Sequence, residues 1–217
     1  SEMCIRDRYI VGYMMKYTEK YVPDGIDLIG SIILLAPIAR LIATGLTPIV
    51  NNTLIKIGDI IQSSTDANPL IMGIVLGGII TVVGTAPLSS MALTALLGLT
   101  GAPMAIGAMA AFSSAFMNST LFHRLKLGDR KSTISVGIEP LSQADIVSAN
   151  PIPIYVTNFF GGAIAGIIIA WSGMINNATG TATPIAGFLV MFGFNSLTKV
   201  IIYGVVMAII GTIAGFV

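Results

Sequence analysis

Apolar residues along this chain gather into long blocks, and the charged residues are confined to the gaps between them. No Asp, Glu, Lys or Arg lies between Asp66 and Arg124, none between Asp145 and Lys199, and none after Lys199. A helix that crosses a bilayer needs about 20 predominantly apolar residues. Each of the two long uncharged stretches therefore has room for two spans, or for one span and a piece that enters and turns back. The blocks predict spans at 26–50, 69–84, 103–122, 152–171 and 197–217. The first contains Pro37 and Arg40, which set it against protein rather than lipid. Residues 51–62 place Leu54, Ile57 and Ile61 at helical spacing with Lys56 and Asp59 off that face, the pattern of a helix lying in the interface. Residues 85–90 break the second span, and 91–99 is too short to cross. After an uncharged loop at 172–183, 184–194 is a second short apolar piece. The fold class is all-α integral membrane: about five transmembrane helices, two short broken or re-entrant segments and one interfacial amphipathic helix.

The two short pieces sit in a weak internal repeat. Asn68-Pro69 opens a span that holds Gly77-Gly78, and Asn150-Pro151 opens one that holds Gly161-Gly162. Each span is followed by a Gly-Thr-Ala…Pro break: Gly84-Thr85-Ala86-Pro87, and Gly180-Thr181-Ala182-Thr183-Pro184. Paired short segments interrupted by Gly and Pro point to the binding site of a transporter. A broken helix frees N–H and C=O groups that lipid cannot satisfy, so a break survives where protein, water or a solute supplies partners.

Composition agrees with a bilayer as solvent. Of 217 residues, 54% are hydrophobic and only 10% charged, against about 25% charged in a soluble domain. The net charge of +1 gives no basic field for nucleic acid. A single cysteine and a single histidine leave no disulfide framework and no metal site, and no nucleotide or cofactor motif is present. Residues 1–8 (Ser-Glu-Met-Cys-Ile-Arg-Asp-Arg) look like translated sequencing-adapter read-through, so 9–217 is expected to be one permease domain that lacks an upstream part. The basic loop 123–131, with Arg124, Lys126, Arg130 and Lys131 against Asp129, is expected on the cytoplasmic side of the membrane.

Candidate chemistry is polar and mostly neutral. Glu139, beside Pro140 in a polar stretch between two spans, is costly near membrane depth and is a site candidate by default. Gln143, Asn150 and Asn158, with Thr85, Ser89, Thr181 and Thr183, sit in or beside apolar segments and could surround a hydroxylated solute. Asn118, Asn195 and Ser90 have the same character. No catalytic residue is expected, and His123 at the edge of the basic loop is read as interfacial.

At these residues the chain resembles a known family. Gly84-Thr85-Ala86-Pro87-Leu88-Ser89-Ser90, Gly98-Leu99-Thr100-Gly101, Asn150-Pro151 and Gly180-Thr181-Ala182-Thr183-Pro184-Ile185-Ala186-Gly187-Phe188 resemble the compact, divergent membrane IIC subunits of the bacterial phosphoenolpyruvate-dependent sugar phosphotransferase system. Gly137-Ile138-Glu139-Pro140 resembles the Gly-Ile-Thr-Glu-Pro signature of larger sugar-transporting IIC families, without its Thr. The resemblance implies a homodimeric permease in the bacterial cytoplasmic membrane that passes a sugar inward for phosphorylation by separate IIA and IIB phosphocarrier proteins. A secondary transporter or facilitator of another polar solute, and a non-transporting membrane sensor, are the other readings the residues allow.

Overall fold

The computed structural model describes Lys56, residues 68–86 and residues 88–217. Apart from Lys56, these belong to one unit of the chain. The expected span 26–50 and segment 1–8 lie outside the described residues, as does 51–62 except for Lys56, which is helical and exposed.

Helix α1 (Pro69–Thr85) starts where the Asn68 side chain accepts from the Leu70 amide at 3.0 Å and Pro69 supplies a preset φ. It stops at Ala86, which is extended (φ −65°, ψ 160°) because Pro87 follows and disfavours the helical region before it. Ser89 then caps a two-turn helix, α2 (Ser90–Leu96), by accepting from the Ala92 amide at 3.1 Å. Helix α3 (Gly101–Leu125) ends at Lys126 in the left-handed region (φ 53°). Asp129 caps α4 (Arg130–Ile138), and a 3-10 turn (Pro140–Gln143) leads to α5 (Ala144–Ala149). Helix α6 (Pro151–Ser172) ends at Gly173 with φ 64°. Thr183 caps α7 (Pro184–Val190), a 3-10 turn follows (Met191–Gly193), and α8 (Leu197–Phe216) closes the chain.

Three of these helices, α3, α6 and α8, are long and apolar enough to cross a membrane. Helix α1 has 17 residues and spans about 25 Å at 1.5 Å per residue, so it covers most of a hydrocarbon core. Among the described residues the spans expected at 69–84, 103–122, 152–171 and 197–217 are present as helices, the second and third extended by up to three residues at an end.

Contacts fix how the helices run. Helix α3 is the centre: Met104–Ala110 and Met117, Asn118, Leu121 and Phe122 are buried against α1, α4, α6, α7 and α8. Ser113 and Gly211 meet on α3 and α8, and Met117 meets Gly215, so these two helices run parallel. Thr85 meets Asn118 and Ile80 meets Gly107, so α1 runs the same way. Asn118 meets Asn158 and Phe122 packs with Ile154, so α6 runs opposite to the other three. One membrane face then carries the start of α3 and the end of α6, tied by Asn176 N–H donating to Gly101 O at 3.0 Å. The other face carries the basic loop 123–131.

The tightest packing is between α1 and α6. Gly73 and Gly77 face Gly162 and Gly166, two small-xxx-small pairs set against each other in antiparallel. A Cβ on Gly73 would stand 2.6 Å from Ile167 Cα, and one on Gly162 would stand 2.5 Å from Gly77 O and 2.7 Å from Thr81 Cγ2. No side chain fits there without moving backbone. Helix α8 is at the outside, with Ile201, Ile202, Val205, Ile209 and Ile213 exposed, as lipid requires.

Substituting Gly162→Ala should overpack this interface and cost about 1–3 kcal/mol, read as an earlier thermal transition in detergent. Gly193→Ala, where an added Cβ meets nothing within 4 Å, should leave the transition in place. At the basic loop, Asp129 Oδ1 accepts from the Ser132 amide and hydroxyl at 2.8 Å, and the backbone N–H of Ser132, foremost, holds its carboxyl below the ordinary aspartate value. The cap therefore stabilises α4 above the unfolded carboxyl pKa of about 3.9 and is lost as pH falls through the lower folded value. A spin label on α4 should become mobile only under those acidic conditions in the parent chain, and at every pH in Asp129→Ala.

Candidate functional site

Both Gly-Thr-Ala…Pro breaks turn back toward the face they came from. Helix α1 runs inward from that face, and α2 returns to it, reaching Gly101. The loop after α6 enters from the same face, Ala182 lies beside Gly107 in the second turn of α3, and the chain returns through α7 to Asn195. There Asn195 closes the loop: its Oδ1 accepts from the Ile175 amide at 3.1 Å and its Nδ2 donates to Ile175 O at 2.8 Å. The two breaks touch at their tips, where the buried Ser90 hydroxyl donates to Ala182 O at 2.7 Å. That bond satisfies a carbonyl released by the second break with a side chain from the first.

A third segment approaches from the opposite face. The stretch 132–150, read from the sequence as a polar stretch between two spans, folds as a hairpin of α4 and α5. Gly137 lies against Ala115 O and Ser119 of α3, because a larger residue would collide with the Ser119 hydroxyl. Ile146 and Val147 return to the cluster of Leu121, Phe122 and Ile154. The tip of this hairpin is Glu139-Pro140-Leu141.

The three tips line a partly open cavity of about 190 Å³ at the middle of α3. Its wall includes Gly84, Ser89 and Ser90 from the first break, Ala182, Thr183 and Pro184 from the second, Glu139 to Leu141 from the hairpin, and Ala111 and Ser114 from α3. The first turns of α2 and α7 both start here, with one amide of each taken up by the Ser89 and Thr183 side chains. Glu139 is exposed at the cavity wall rather than buried.

One turn further along α3 lies a buried polar chain. Asn118 Nδ2 donates to Thr85 Oγ1 at 3.2 Å, and Asn158 Nδ2 donates to Asn118 Oδ1 at 2.7 Å and to Ile154 O at 2.9 Å. Thr81 Oγ1 donates among Gly77 O, Gly78 O and Asn158 O, the last at 2.7 Å. Asn158 Oδ1 has no partner. These groups join α1, α3 and α6 at the level where α1 gives way to its break.

Of the residues singled out in the sequence, Ser89, Ser90, Glu139 and Thr183 come together at the cavity. Thr85 and Asn158 are buried in the polar chain beside it. Gln143 donates to its neighbour Ser142 O, Asn150 donates to Ile146 O, and Thr181 donates to Ala178 O while accepting from Asn176, so these three hold local backbone and are not in the cavity wall. Sequence reasoning missed Ser114 and Thr81. Thr81 is four residues from both Gly77 and Thr85, a spacing that places all three on one helix face. Ser114 gave no signal beyond being one of several small residues in α3.

The family comparison decides the broader identity. The model of a family described as "Phosphotransferase system, EIIC" matches residues 7–217. The chain belongs to this EIIC family. It is a multi-pass membrane protein and a component of a phosphotransferase-system sugar permease, as the motif resemblance implied. The family implies a sugar as substrate, and IIA and IIB proteins as partners in general. Comparisons with curated proteins and with solved structures give no match.

Within this EIIC chain the polar chain beside the cavity is open to test. Asn118→Leu removes the acceptor of Asn158 and the donor of Thr85, and should cost about 1 kcal/mol. Reversible unfolding in mixed micelles would read it, with Thr120, part-buried at the α3–α8 contact, substituted by Val as the near-neutral comparison.

Proposed function

We propose that the cavity between the three tips is the solute site of a phosphotransferase permease. It binds a sugar from outside, opens inward by alternating access, and presents the sugar to a separate IIB protein for phosphorylation. The observation that supports this best is the meeting of two breaks and one carboxylate-bearing tip at one cavity beside the middle of α3. Lipid would not tolerate three such interruptions; a polar solute supplies what they lack.

On this reading Glu139 accepts hydroxyl hydrogen bonds from the sugar, and Ser89 and Thr183 fix the helix starts around it. Thr85 and Asn158 support the wall from α1 and α6, while Gln143, Asn150 and Thr181 hold the ends of the re-entrant segments. The face that carries Arg124, Lys126, Arg130 and Lys131 is the cytoplasmic one, since Lys199 is the single cation of residues 88–217 at the opposite face. The permease works in the bacterial cytoplasmic membrane as a homodimer, and no catalytic residue of its own takes part.

Labelled-sugar uptake in cells with and without the general phosphotransferase components tests the coupling. Accumulation of phosphorylated sugar should depend on those components; undiminished accumulation of free sugar without them would overturn phosphorylation-coupled transport and favour a facilitator. Glu139→Gln should raise the half-saturating sugar concentration by about tenfold, the lower end for a hydrogen bond to a charged group because Glu139 is exposed. Unchanged affinity would remove Glu139 from the site.

A further inference from the structure

We propose that the exposed face of α4 beside the basic loop is a binding site for one anionic phospholipid. Lys126, Arg130 and Lys131 hold its phosphate, and its acyl chains lie along Ile134 and Ile138. The inference does not depend on the solute-site reading above.

The first observation is charge without a use inside the protein. Between Asp66 and Glu139 the chain has four cations, Arg124, Lys126, Arg130 and Lys131, and one acid, Asp129. Arg124 donates to Phe216 O at the end of α8, where a cation answers the negative end of the helix dipole. Asp129 Oδ1 is taken by the Ser132 amide and hydroxyl. Lys126, Arg130 and Lys131 are exposed, and among the described residues their side chains make no hydrogen bond or ion pair. Arg130 and Lys131 also stand in the first turn of α4, the end at which a helix dipole favours acids. They work against α4 itself, so what they serve lies outside it.

The second observation is the apolar stripe that continues from these cations. Arg130, Ile134 and Ile138 are spaced by four residues and share one face of α4, and all three are exposed. Val136, across the helix, is buried, and Gly137 lies against Ala115 O and Ser119 of α3. The helix therefore runs from the loop toward the cavity, and Ile134 and Ile138 stand about 6 and 12 Å further along it than Arg130. Cations at the surface with branched alkyl groups beneath them match the order of a phospholipid. Its phosphodiester accepts charge-assisted hydrogen bonds from Arg and Lys, and its chains cover the isoleucines. The positive-inside preference counts cations over the whole loop and calls for no such stripe. A water-soluble protein would meet the cations and leave the isoleucines bare.

The test titrates the full chain, delipidated in mild detergent, with phosphatidylglycerol or phosphatidylcholine of the same acyl chains, and counts bound lipid by native mass spectrometry. The first phosphatidylglycerol should bind more tightly than the first phosphatidylcholine by roughly fivefold or more, the worth of one cation near the surface. Arg130→Gln with Lys131→Gln, both at exposed positions, should remove that preference and leave phosphatidylcholine binding as it was. Lys199→Gln, at the opposite face, should keep the preference. Glycerol 1-phosphate, the phosphate without chains, should not displace the lipid at equal concentration. Equal affinity for the two lipids leaves the cations a topological role only and overturns the proposal. A preference that survives the double substitution places the lipid elsewhere, and displacement by glycerol 1-phosphate makes this a site for a free phosphate; each overturns it as well.

Discussion

The whole arrangement depends on peptide groups that have no water to fall back on. Three segments of this chain stop being helical inside an apolar medium, and each stop releases amides and carbonyls that would cost several kcal/mol apiece if left in lipid. The chain answers by bringing the stops together. Ser90 supplies the proton that Ala182 O needs. Thr183 and Ser89 take amides at the two short-helix starts. At the membrane face the Asn176 amide donates to Gly101 O and Asn195 Oδ1 takes the Ile175 amide, tying down the second break. A break in isolation would be a defect; three breaks that meet make a chamber with a few polar groups in a largely apolar wall, and the chamber follows from the breaks.

Such a chamber needs walls that do not close on it. The glycine contact of α1 with α6 provides one, because backbone against backbone at Gly73, Gly77, Gly162 and Gly166 leaves no side chain to relax. The polar chain of Thr81, Thr85, Asn118 and Asn158 pins the same helices to α3. On the other side, Phe112 stacks on Phe188 with ring centres 4.1 Å apart and Phe192 meets Phe188 edge-on, so α7 is held to α3 by aromatic surface rather than by hydrogen bonds. The scaffold side is therefore directional, while α7 itself rests on α3 through aromatic surface and is tied by hydrogen bonds at the segments that flank it.

Much of this was legible in the sequence, and the parts that were not share a reason. Spans and breaks announce themselves locally: charge vacancies mark the first, and the two Gly-Thr-Ala…Pro runs mark the second. Their meeting could be argued because unsatisfied backbone has so few remedies in lipid. The hairpin of α4 and α5 could not, since 132–150 is polar enough to pass for a surface connection and gains its place from Gly137 fitting against Ser119. Glu139 was visible as a costly carboxylate, and the structure brings it to the cavity, although exposed. Asn158 and Thr85 were visible as polar residues in apolar helices. Which side of the wall they occupy depends on the register of three helices, which no local pattern carries. Gln143, Asn150 and Thr181 show the converse, since a side chain near a break can be used up by the backbone next to it.

The two ends of the chamber differ in how they are closed, and on the transport reading that difference bears on which end opens. Toward the face of Gly101 and Asn195, closure is made of paired contacts: Ser90 with Ala182, Asn176 with Gly101, Asn195 with Ile175. Toward the basic loop, the hairpin tip has the exposed Glu139 at the wall, and its legs lie on α3 through Gly137 and on an apolar cluster through Ile146 and Val147. Apolar contacts are non-directional and survive a shift of an ångström or two, whereas a buried hydrogen bond is lost or kept. The conformation described here thus has its firm closure on the side away from the basic loop. On the transport reading, opening that end means giving up the Ser90–Ala182 bond, whose donor and acceptor would then need other partners.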